Sequence, residues 1–219
     1  MIRAVRRTKE RQSDESASVR EGRTQAERRD EAERRIIEAA ALIVAEEGLE
    51  AITLAEAGER AGYSRGLPSH YFRTKNDLLS ALAAYIIELF LARRRASASN
   101  IPGFDGLIAS IKYYFESPPQ NTKMVRAFHA VLAGAIHTPA IAATVATLNR
   151  ESIAEIAAGI RAGIESGSVR ADVDPELEGA LILAALRGSV ALWLANPDGT
   201  ALDRMGAQFI SALRRSLAK

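Results

Sequence analysis

The chain has 219 residues, 47% of them hydrophobic, so it is long and apolar enough to bury a sizeable core as one large domain or two small ones. With 29 basic and 27 acidic residues the net charge is only +2, and overall charge therefore gives no argument for a nucleic-acid partner. Cysteine is absent, which excludes disulfides and thiolate metal sites, and the first residues form no apolar signal-peptide segment, so we expect a cytoplasmic protein.

Residues 1–23 are polar and basic, and we expect them to form a flexible tail. The basic side chains near its start are Arg3, Arg6, Arg7, Lys9 and Arg11. Two interpretations remain open: a solubilising tail, or an arm that follows phosphates or enters a minor groove.

A first helix is predicted to begin near Thr24. Its apolar residues Ile36, Ala40 and Ile43 recur on one face, and Gly48 is expected to end it. Such a helix would provide a hydrophobic support for short helices that cannot bury enough surface by themselves.

Two short helices joined by a glycine-containing turn are predicted next. Thr53, with Glu56 three residues later, has the pattern of a capping box for the first of them. Gly62 interrupts that helix, and Ser64 is placed to cap the second, over residues 65–72. This arrangement is the helix-turn-helix pattern of DNA-binding proteins.

A longer helix is predicted over residues 76–95. Thr74 is expected to cap it, with Asp77 where a carboxylate suits the positive end of the helix dipole. Because this helix begins in the DNA-binding unit and ends beyond it, we expect it to connect the two parts of the chain.

The segment 62–75 contains basic residues and no acidic one, which favours contact with DNA. Helix 65–72 is short enough to fit within a major groove. The side chains expected to contact base edges are Arg65, Leu67, Ser69 and His70. Those expected to contact phosphates are Thr53, Ser64, Tyr71 and Lys75, with Gly66 beside them.

The segment that follows Ala61 reads GYSRGLPSHYFRTKNDLL and resembles the DNA-binding domain of the TetR/AcrR family of transcriptional regulators. The residues that match the family pattern are Ala61, Gly62, Ser64, Arg65, Gly66, Tyr71, Phe72, Thr74, Lys75 and Asp77. The resemblance implies phosphate contacts for Tyr71 and Lys75. Leu67-Pro68-Ser69 departs from the pattern, so the resemblance does not tell which bases are read.

The remainder of the chain is predicted to be helical, without a convincing strand pattern. The helices are expected near residues 103–116, 122–137, 139–166, 175–195 and 200–217. The fold class is thus all-α: a three-helix helix-turn-helix domain, residues 24–75, joined by the long helix to an effector-binding and dimerisation domain, residues 76–219.

The predicted helix 175–195 is apolar nearly all round, so most of its sides must be buried. Its most apolar part, residues 179–195, is short for a membrane span and contains Arg187, so no membrane partner is predicted. The family resemblance implies a homodimer in which 175–195 and 200–217 pair with their copies. Such a dimer would place two recognition helices roughly 34–36 Å apart. A core helix of a monomer is the alternative.

An effector pocket in the second part is implied by the family resemblance. Such a pocket needs aromatic lining and a few polar groups, although aromatic residues at helical spacing also occur in ordinary cores. The candidate residues are Tyr113, Tyr114, Phe115, Phe128, His129, His137 and Trp193. His129 and His137 have no evident third ligand, so neither a metal nor a cofactor is predicted.

The predicted function is a ligand-responsive DNA-binding transcriptional regulator, of the repressor type, which a small-molecule effector releases from its double-stranded operator. An architectural DNA-binding protein without an effector is one alternative. An all-helical enzyme with an appended DNA-binding unit is the other, but no Ser/His/Asp arrangement, phosphate loop or HExxH motif is present, so no enzyme is predicted.

Overall fold

The computed structural model describes residues 24–97 and 101–218, and the predicted N-terminal tail lies outside the described residues. Within them the secondary structure is helical, without a strand; an isolated antiparallel bridge joins Val169 to Ala218. The prediction of an all-α fold is therefore confirmed.

Eight α-helices occur in the described ranges, and three short 3-10 helices lie between them. The α-helices are α1 (Gln25–Glu47), α2 (Leu54–Arg60), α3 (Lys75–Ser97), α4 (Gly103–Glu116), α5 (Thr122–Gly134), α6 (Pro139–Glu165), α7 (Pro175–Ala195) and α8 (Leu202–Leu217). The 3-10 helices are Leu49–Ala51, Leu67–His70 and Pro118–Asn121. The predicted bounds of α4 and α7 are confirmed, whereas α5 ends three residues before the predicted position and α8 begins two residues after it.

The chain divides into two compact units, Met1–Arg35 and Ile36–Lys219. In the first, the Thr24 backbone N–H donates to Glu27 Oε2 at 2.7 Å, and the Glu27 N–H donates to Thr24 Oγ1 at 3.2 Å. This reciprocal capping box begins α1, near the predicted residue. The predicted domain boundary after Lys75 lies inside the second unit and stays a prediction.

A first hydrophobic cluster joins the helix-turn-helix to the helices that follow it. It combines buried side chains of α1 from Ile36 onward, α3, α5 and the beginning of α6. Its fully buried members include Ile43, Ile52, Leu78 and Leu82. Since this core is continuous, the helix-turn-helix shares one packing unit with α3, α5 and the beginning of α6.

A second hydrophobic cluster lies among α4, the later part of α6, α7 and α8. Ile111, Ile160, Ile182 and Leu217 are each no more than 1% exposed in it. Among the described residues, α7 is by itself long and apolar enough to cross a membrane, but Ile182 and other side chains along one face are buried in this cluster, as in a core helix.

Candidate nucleic-acid interface and effector cavity

The first helix of the helix-turn-helix begins as predicted. Thr53 Oγ1 accepts a hydrogen bond from the Glu56 backbone N–H at 3.1 Å, which caps α2. The Glu56 carboxylate lies 3.6 Å from Arg60 Nε, one turn later on the same helix. The Thr53 cap is thus confirmed, and its hydroxyl already has an intramolecular partner.

Gly62 forms the predicted turn because it adopts a left-handed conformation, with φ of 81°. The Gly62 N–H donates to Glu59 O at 3.0 Å, and the Tyr63 N–H donates to Gly58 O at 2.9 Å. This pair of bonds is the Schellman motif that satisfies the last carbonyls of a helix. A side chain at this position would be strained.

The predicted recognition helix over residues 65–72 is wrong in extent and type. The structure has a 3-10 helix, Leu67–His70, whose N-cap is Gly66. The predicted Ser64 side-chain cap is also wrong, since no side chain caps this helix and the Ser64 carbonyl instead accepts from the Leu67 N–H at 3.1 Å. Pro68 explains part of the difference, because it has no N–H and fits only the first turn of a helix.

Gly58 lies at the closest contact between the two short helices. A Cβ atom at Gly58 would lie 2.8 Å from Pro68 Cγ and 2.9 Å from the Ser64 carbonyl oxygen. The Pro68 ring is buried in this contact. The absence of a side chain at Gly58 therefore permits the two short helices to pack closely.

Three of the four residues predicted to contact base edges are exposed. Ser69 and His70 are exposed, and so is Arg65, whose guanidinium lies 3.4 Å from Glu59 Oε1. Leu67 is half-buried. Ser69 and His70 are thus available to contact DNA. Arg65 can contact DNA only if its guanidinium leaves the exposed ion pair with Glu59.

The predicted phosphate-contacting residues differ in their surroundings. Ser64 and Gly66 are exposed at the turn. Tyr71 is half-buried and packs against the first hydrophobic cluster, next to the buried Phe72. Lys75 Nζ donates to the Glu50 carbonyl at 3.1 Å, so Lys75 also ties the start of α3 to the Leu49–Ala51 turn.

The start of α3 is held by a complete capping box. The Thr74 N–H donates to Asp77 Oδ2 at 2.9 Å, and the Asp77 N–H donates to Thr74 Oγ1 at 3.2 Å. The predicted cap is confirmed. It fixes the segment of Tyr71 and Lys75 to the rigid helix that leads away from the helix-turn-helix.

An ion-pair network, which sequence reasoning missed, joins the helix-turn-helix to α5. Arg60 of α2 contacts Glu46 and Glu47 at the end of α1, and Lys123 Nζ of α5 lies 3.1 Å from Glu46 Oε1. The hydrogen bond from Arg60, followed by that from Lys123, lowers the pKa of Glu46. Nothing in the local spacing of these residues indicates this network, because its members are brought together by folding.

A cavity of about 280 Å³ lies among α3, α4, α6 and α7. Its walls combine members of both hydrophobic clusters: Phe90 and Phe128 are associated with the first, and Ile111, Leu183 and Leu186 with the second. A side cavity of about 50 Å³ shares Phe90 and Tyr114 with it. The main cavity therefore lies where the two clusters meet.

Three aromatic rings form one wall of the cavity. Phe90 stacks on Phe128, with ring centroids 4.1 Å apart and an interplanar angle of 10°. Phe90 also meets Tyr114 edge-on, at 6.1 Å and 75°. Burial raises the pKa of Tyr114 to about 12, so its phenol is a neutral hydrogen-bond donor at neutral pH.

The predicted effector residues separate into two groups. Tyr114 and Phe128 line the main cavity and Tyr113 lines the side cavity. The others line neither cavity: Phe115 and Trp193 are buried in the second cluster, His129 is largely buried outside the lining, and His137 is exposed. The structure therefore does not bring these four residues to either cavity, because aromatic type alone does not distinguish a core side chain from a cavity side chain.

Sequence reasoning missed most of the cavity lining, including Phe90, Ser152 and Arg187. Phe90 and Ser152 carry no distinguishing local pattern, but Arg187 is the single charge within the apolar stretch 179–195, and that contrast was a usable signal. Arg187 is half-buried and Nη1 donates to Asn149 Oδ1 at 2.5 Å. Among the described residues, no group of three or more His, Cys, Asp or Glu could hold a metal ion.

Two family models match this chain. Residues 36–82, which include the helix-turn-helix, match the model for bacterial regulatory proteins of the tetR family. Residues 105–218, more than half of the chain, match the model for the C-terminal domain of BetI-type transcriptional repressors. The chain belongs to the TetR family.

Individual relatives agree with this TetR-family membership. The HTH-type transcriptional regulator BetI of Burkholderia mallei (strain NCTC 10229) is 31% identical over 179 residues, covering 74% of this chain and 88% of the relative. Its namesake in Serratia proteamaculans (strain 568) is 32% identical over 108 residues, covering 48% and 54%, so the chain spans about half the length of that relative.

A solved structure shares the fold. A transcriptional regulator from Saccharomonospora viridis in complex with choline superposes with a TM-score of 0.77 at 20% identity, covering 87% of this chain and 99% of that chain. The two family models and the Burkholderia mallei relative confirm the predicted family. The family to which the chain belongs is a family of transcriptional regulators.

Proposed function

We propose that this chain acts in the cytoplasm as a homodimeric transcriptional repressor, and that a small molecule bound in the cavity releases it from its operator. The observation that carries this proposal is the position of the cavity at the meeting of the two hydrophobic clusters. One cluster includes the helix-turn-helix, and the other includes α7 and α8. A ligand that changes how the clusters pack would therefore act on both.

Operator recognition is assigned to the exposed surface of the Leu67–His70 turn. Ser69 and His70 are exposed and read base edges, with Arg65 beside them. Ser64, Tyr71 and Lys75 bind phosphates and set the register. Lys75 keeps its bond to the Glu50 carbonyl or exchanges it for a phosphate oxygen.

A homodimer is proposed because of one apolar face of α7. Leu177, Leu181 and Leu192 are 61%, 56% and 61% exposed. They lie four and eleven residues apart, which places them on one side of the helix, and Ala184 and Gly188 between them are also exposed. Self-association across a two-fold axis would cover this face together with α8 and would pair two recognition surfaces.

Release requires that the cavity and the helix-turn-helix respond to each other. Two helices provide the link: α3 carries Phe90 at the cavity and Leu78 in the core of the DNA-binding unit, and α5 carries Phe128 at the cavity and Lys123 on Glu46. A ligand that displaces Phe90 or Phe128 would move both helices. Coupling of this kind typically changes affinity about 5–150-fold.

The test is operator binding by fluorescence anisotropy, with an operator selected from a pool of random duplexes. We expect two protomers per duplex, an affinity that falls steeply with salt because phosphate contacts release counterions, and weaker binding when the cavity is occupied. His70→Ala should change the preferred sequence, whereas Lys75→Ala should weaken all sequences alike. A single protomer per duplex, or occupation of the cavity without any change in operator affinity, would contradict the proposal.

An architectural DNA-binding protein without an effector is the second candidate. It is favoured only because the residues of the Leu67–His70 turn and the residues that line the cavity lie in different parts of the sequence. It predicts that no small molecule raises the melting temperature. A ligand that binds the folded state must raise it, so thermal shifts against a metabolite panel separate the two functions.

A further inference from the structure

The charged groups at the cavity do not balance. Three charged side chains line it: Arg94, Glu155 and Arg187. Arg94 and Glu155 form an ion pair with each other, and Glu155 remains largely exposed. Arg187 has no carboxylate within ion-pair distance among the described residues; its partner there is the neutral amide oxygen of Asn149. The cavity walls therefore carry one uncompensated positive charge.

That charge stands in apolar surroundings. Leu183 and Leu186 come from the same helix as Arg187, and Phe128 lines the cavity from α5. Burial lowers the pKa of Arg187, but a guanidinium stays protonated in proteins. A half-buried cation without a counter-ion is costly, and an anion that enters the cavity would offset this cost.

Two hydroxyl groups accompany the guanidinium. Ser152 is only 6% exposed and lines the cavity, and Tyr114 lines it from α4. Neither hydroxyl has a hydrogen-bond partner in the described part of the chain, and neither oxygen is a fully buried unpaired atom, so both can contact a molecule in the cavity. The cavity thus offers a guanidinium and two free hydroxyl donors, which is the donor set that binds a carboxylate.

The same walls are poorly suited to a cation such as the choline of the Saccharomonospora viridis structure. A quaternary ammonium binds over open aromatic faces. Here Phe90 and Phe128 cover one face of each other by stacking, and the lining carboxylate of Glu155 is held by Arg94. The unpaired charge of Arg187 would repel a cation in a low-dielectric site.

We propose that the effector is a small organic anion, namely a monocarboxylate with an apolar tail. Its carboxylate binds Arg187 and the hydroxyls of Tyr114 and Ser152, and its tail lies against Phe90 and Leu186. A volume of about 280 Å³ equals roughly nine water molecules at about 30 Å³ each, which suits a tail of moderate length rather than a long acyl chain. This inference rests on the proposed function, in which the cavity is the effector site.

Calorimetric titration of the full chain tests the charge of the ligand. The probes are hexanoate, hexanamide, which has the same tail without the charge, and choline. We expect hexanoate to bind at least about tenfold more tightly than hexanamide, and choline to bind more weakly than either. Butanoate, octanoate and phenylacetate extend the series. Equal affinity for hexanoate and hexanamide, tighter binding of choline, or no binding by any of the four carboxylates would overturn the proposal.

Variants then test the position of the charge. Arg187→Gln should lower hexanoate affinity at least about tenfold and leave hexanamide affinity unchanged, and Arg187→Lys should retain part of the preference. Arg150→Gln is the matched control, since Arg150 is exposed on α6 outside the cavity lining, and it should leave hexanoate affinity unchanged. If Arg187→Gln fails to fold, Tyr114→Phe serves, and it should weaken hexanoate more than hexanamide. A hexanoate affinity that Tyr114→Phe and Arg187→Lys both leave unchanged would overturn the proposal.

Operator release is measured separately by anisotropy. A carboxylate that binds through Arg187 without releasing the operator would support this inference and contradict the proposed function. If choline releases the operator, or if another ligand does so with an affinity that Arg187→Gln leaves unchanged, the proposed function is supported and the inference is overturned.

Discussion

Lys123 on α5 forms an ion pair with Glu46 at the end of α1, with Lys123 Nζ 3.1 Å from Glu46 Oε1. Glu46 is also bound by Arg60 of α2, so one carboxylate joins three helices. Five residues after Lys123, Phe128 lines the cavity. Helix α5 therefore contacts the DNA-binding unit at its first turn and the cavity at its second, and it complements α3 as a connection between them.

Lys123→Met should reduce the coupling between the cavity and the operator. Both partners are exposed enough that the loss of the pair should shift the melting temperature by less than about 3 °C. We expect operator affinity without ligand to remain within about threefold of the parent, and the loss of affinity on ligand binding to become smaller. Anisotropy titrations with and without the cavity ligand measure both quantities.

Lys112→Met is the matched control for this prediction. Lys112 pairs within α4 with Glu116, at 3.7 Å, and contacts no helix of the DNA-binding unit through that pair. It should leave the coupling unchanged. If Lys123→Met and Lys112→Met behave alike, the ion pair with Glu46 has no part in the response.

Gly58→Ala should destabilise the helix-turn-helix. The added Cβ would lie within 3 Å of Pro68 and of the Ser64 carbonyl oxygen. The carbonyl belongs to the backbone, so it cannot move without a shift of the chain. Overpacking of this kind typically costs about 1–3 kcal/mol. We expect a lower melting temperature and weaker operator binding, measured by thermal unfolding and anisotropy.

Gly66→Ala provides the comparison for Gly58→Ala. No atom outside its immediate neighbours lies within 4 Å of a Cβ built at Gly66, and its φ of −85° suits any residue. The Gly66→Ala variant should unfold like the parent, while operator binding weakens only if the backbone there approaches a phosphate. Equal destabilisation by both substitutions would show that the Gly58–Pro68 contact is not the cause.

Local features of the sequence predict much of this fold, because the interactions that form them lie within a few residues. Thr53 and the Thr74–Asp77 box cap the helices that they were predicted to cap, and Gly62 makes the predicted turn. Ser64 fails as a cap for a different reason. Pro68 packs against Gly58 in the preceding helix, and the helical turn that contains Pro68 is a short 3-10 helix that starts at Leu67. Ser64 therefore lies too far before this helix to cap it.

The cavity is less predictable, because its lining depends on which helix faces which. Tyr114 and Phe128 line it, whereas Trp193, an equally apolar ring, is buried in the second cluster. Nothing in the spacing of these residues distinguishes the two outcomes. Arg187 differs, since a single cation in an apolar helix must have a polar neighbour wherever the helix packs.

Leu181→Glu should disrupt the proposed dimer. The side chain is 56% exposed in the single chain, so a charge there costs the folded protomer little, but it would lie unpaired within the interface that α7 would form. We expect a monomer in sedimentation experiments and a loss of operator affinity of at least about tenfold. Ile136→Glu, at a position 77% exposed outside α7, is the control and should remain a dimer. A dimer that survives Leu181→Glu with full operator affinity would place the interface elsewhere.

His129 should make the stability of the chain sensitive to acid. Burial, aided by the charge of Arg187, lowers the pKa of His129 to about 4, and its Nε2 is a buried atom without a hydrogen-bond partner among the described residues. In the unfolded chain the pKa is about 6.5, so below that pH the unfolded state binds a proton that the folded state does not. The contribution of His129 to the free energy of unfolding is therefore full above pH 6.5 and falls as the pH approaches 4, by about 2–3 kcal/mol at pH 4.5.

Urea unfolding at pH 7 and pH 4.5 measures this loss. His129→Leu should reduce it by about that amount, while the same substitution at the exposed His137 should leave it unchanged; an equal acid loss in all three proteins would mean that His129 is protonated in the folded state as readily as in the unfolded one.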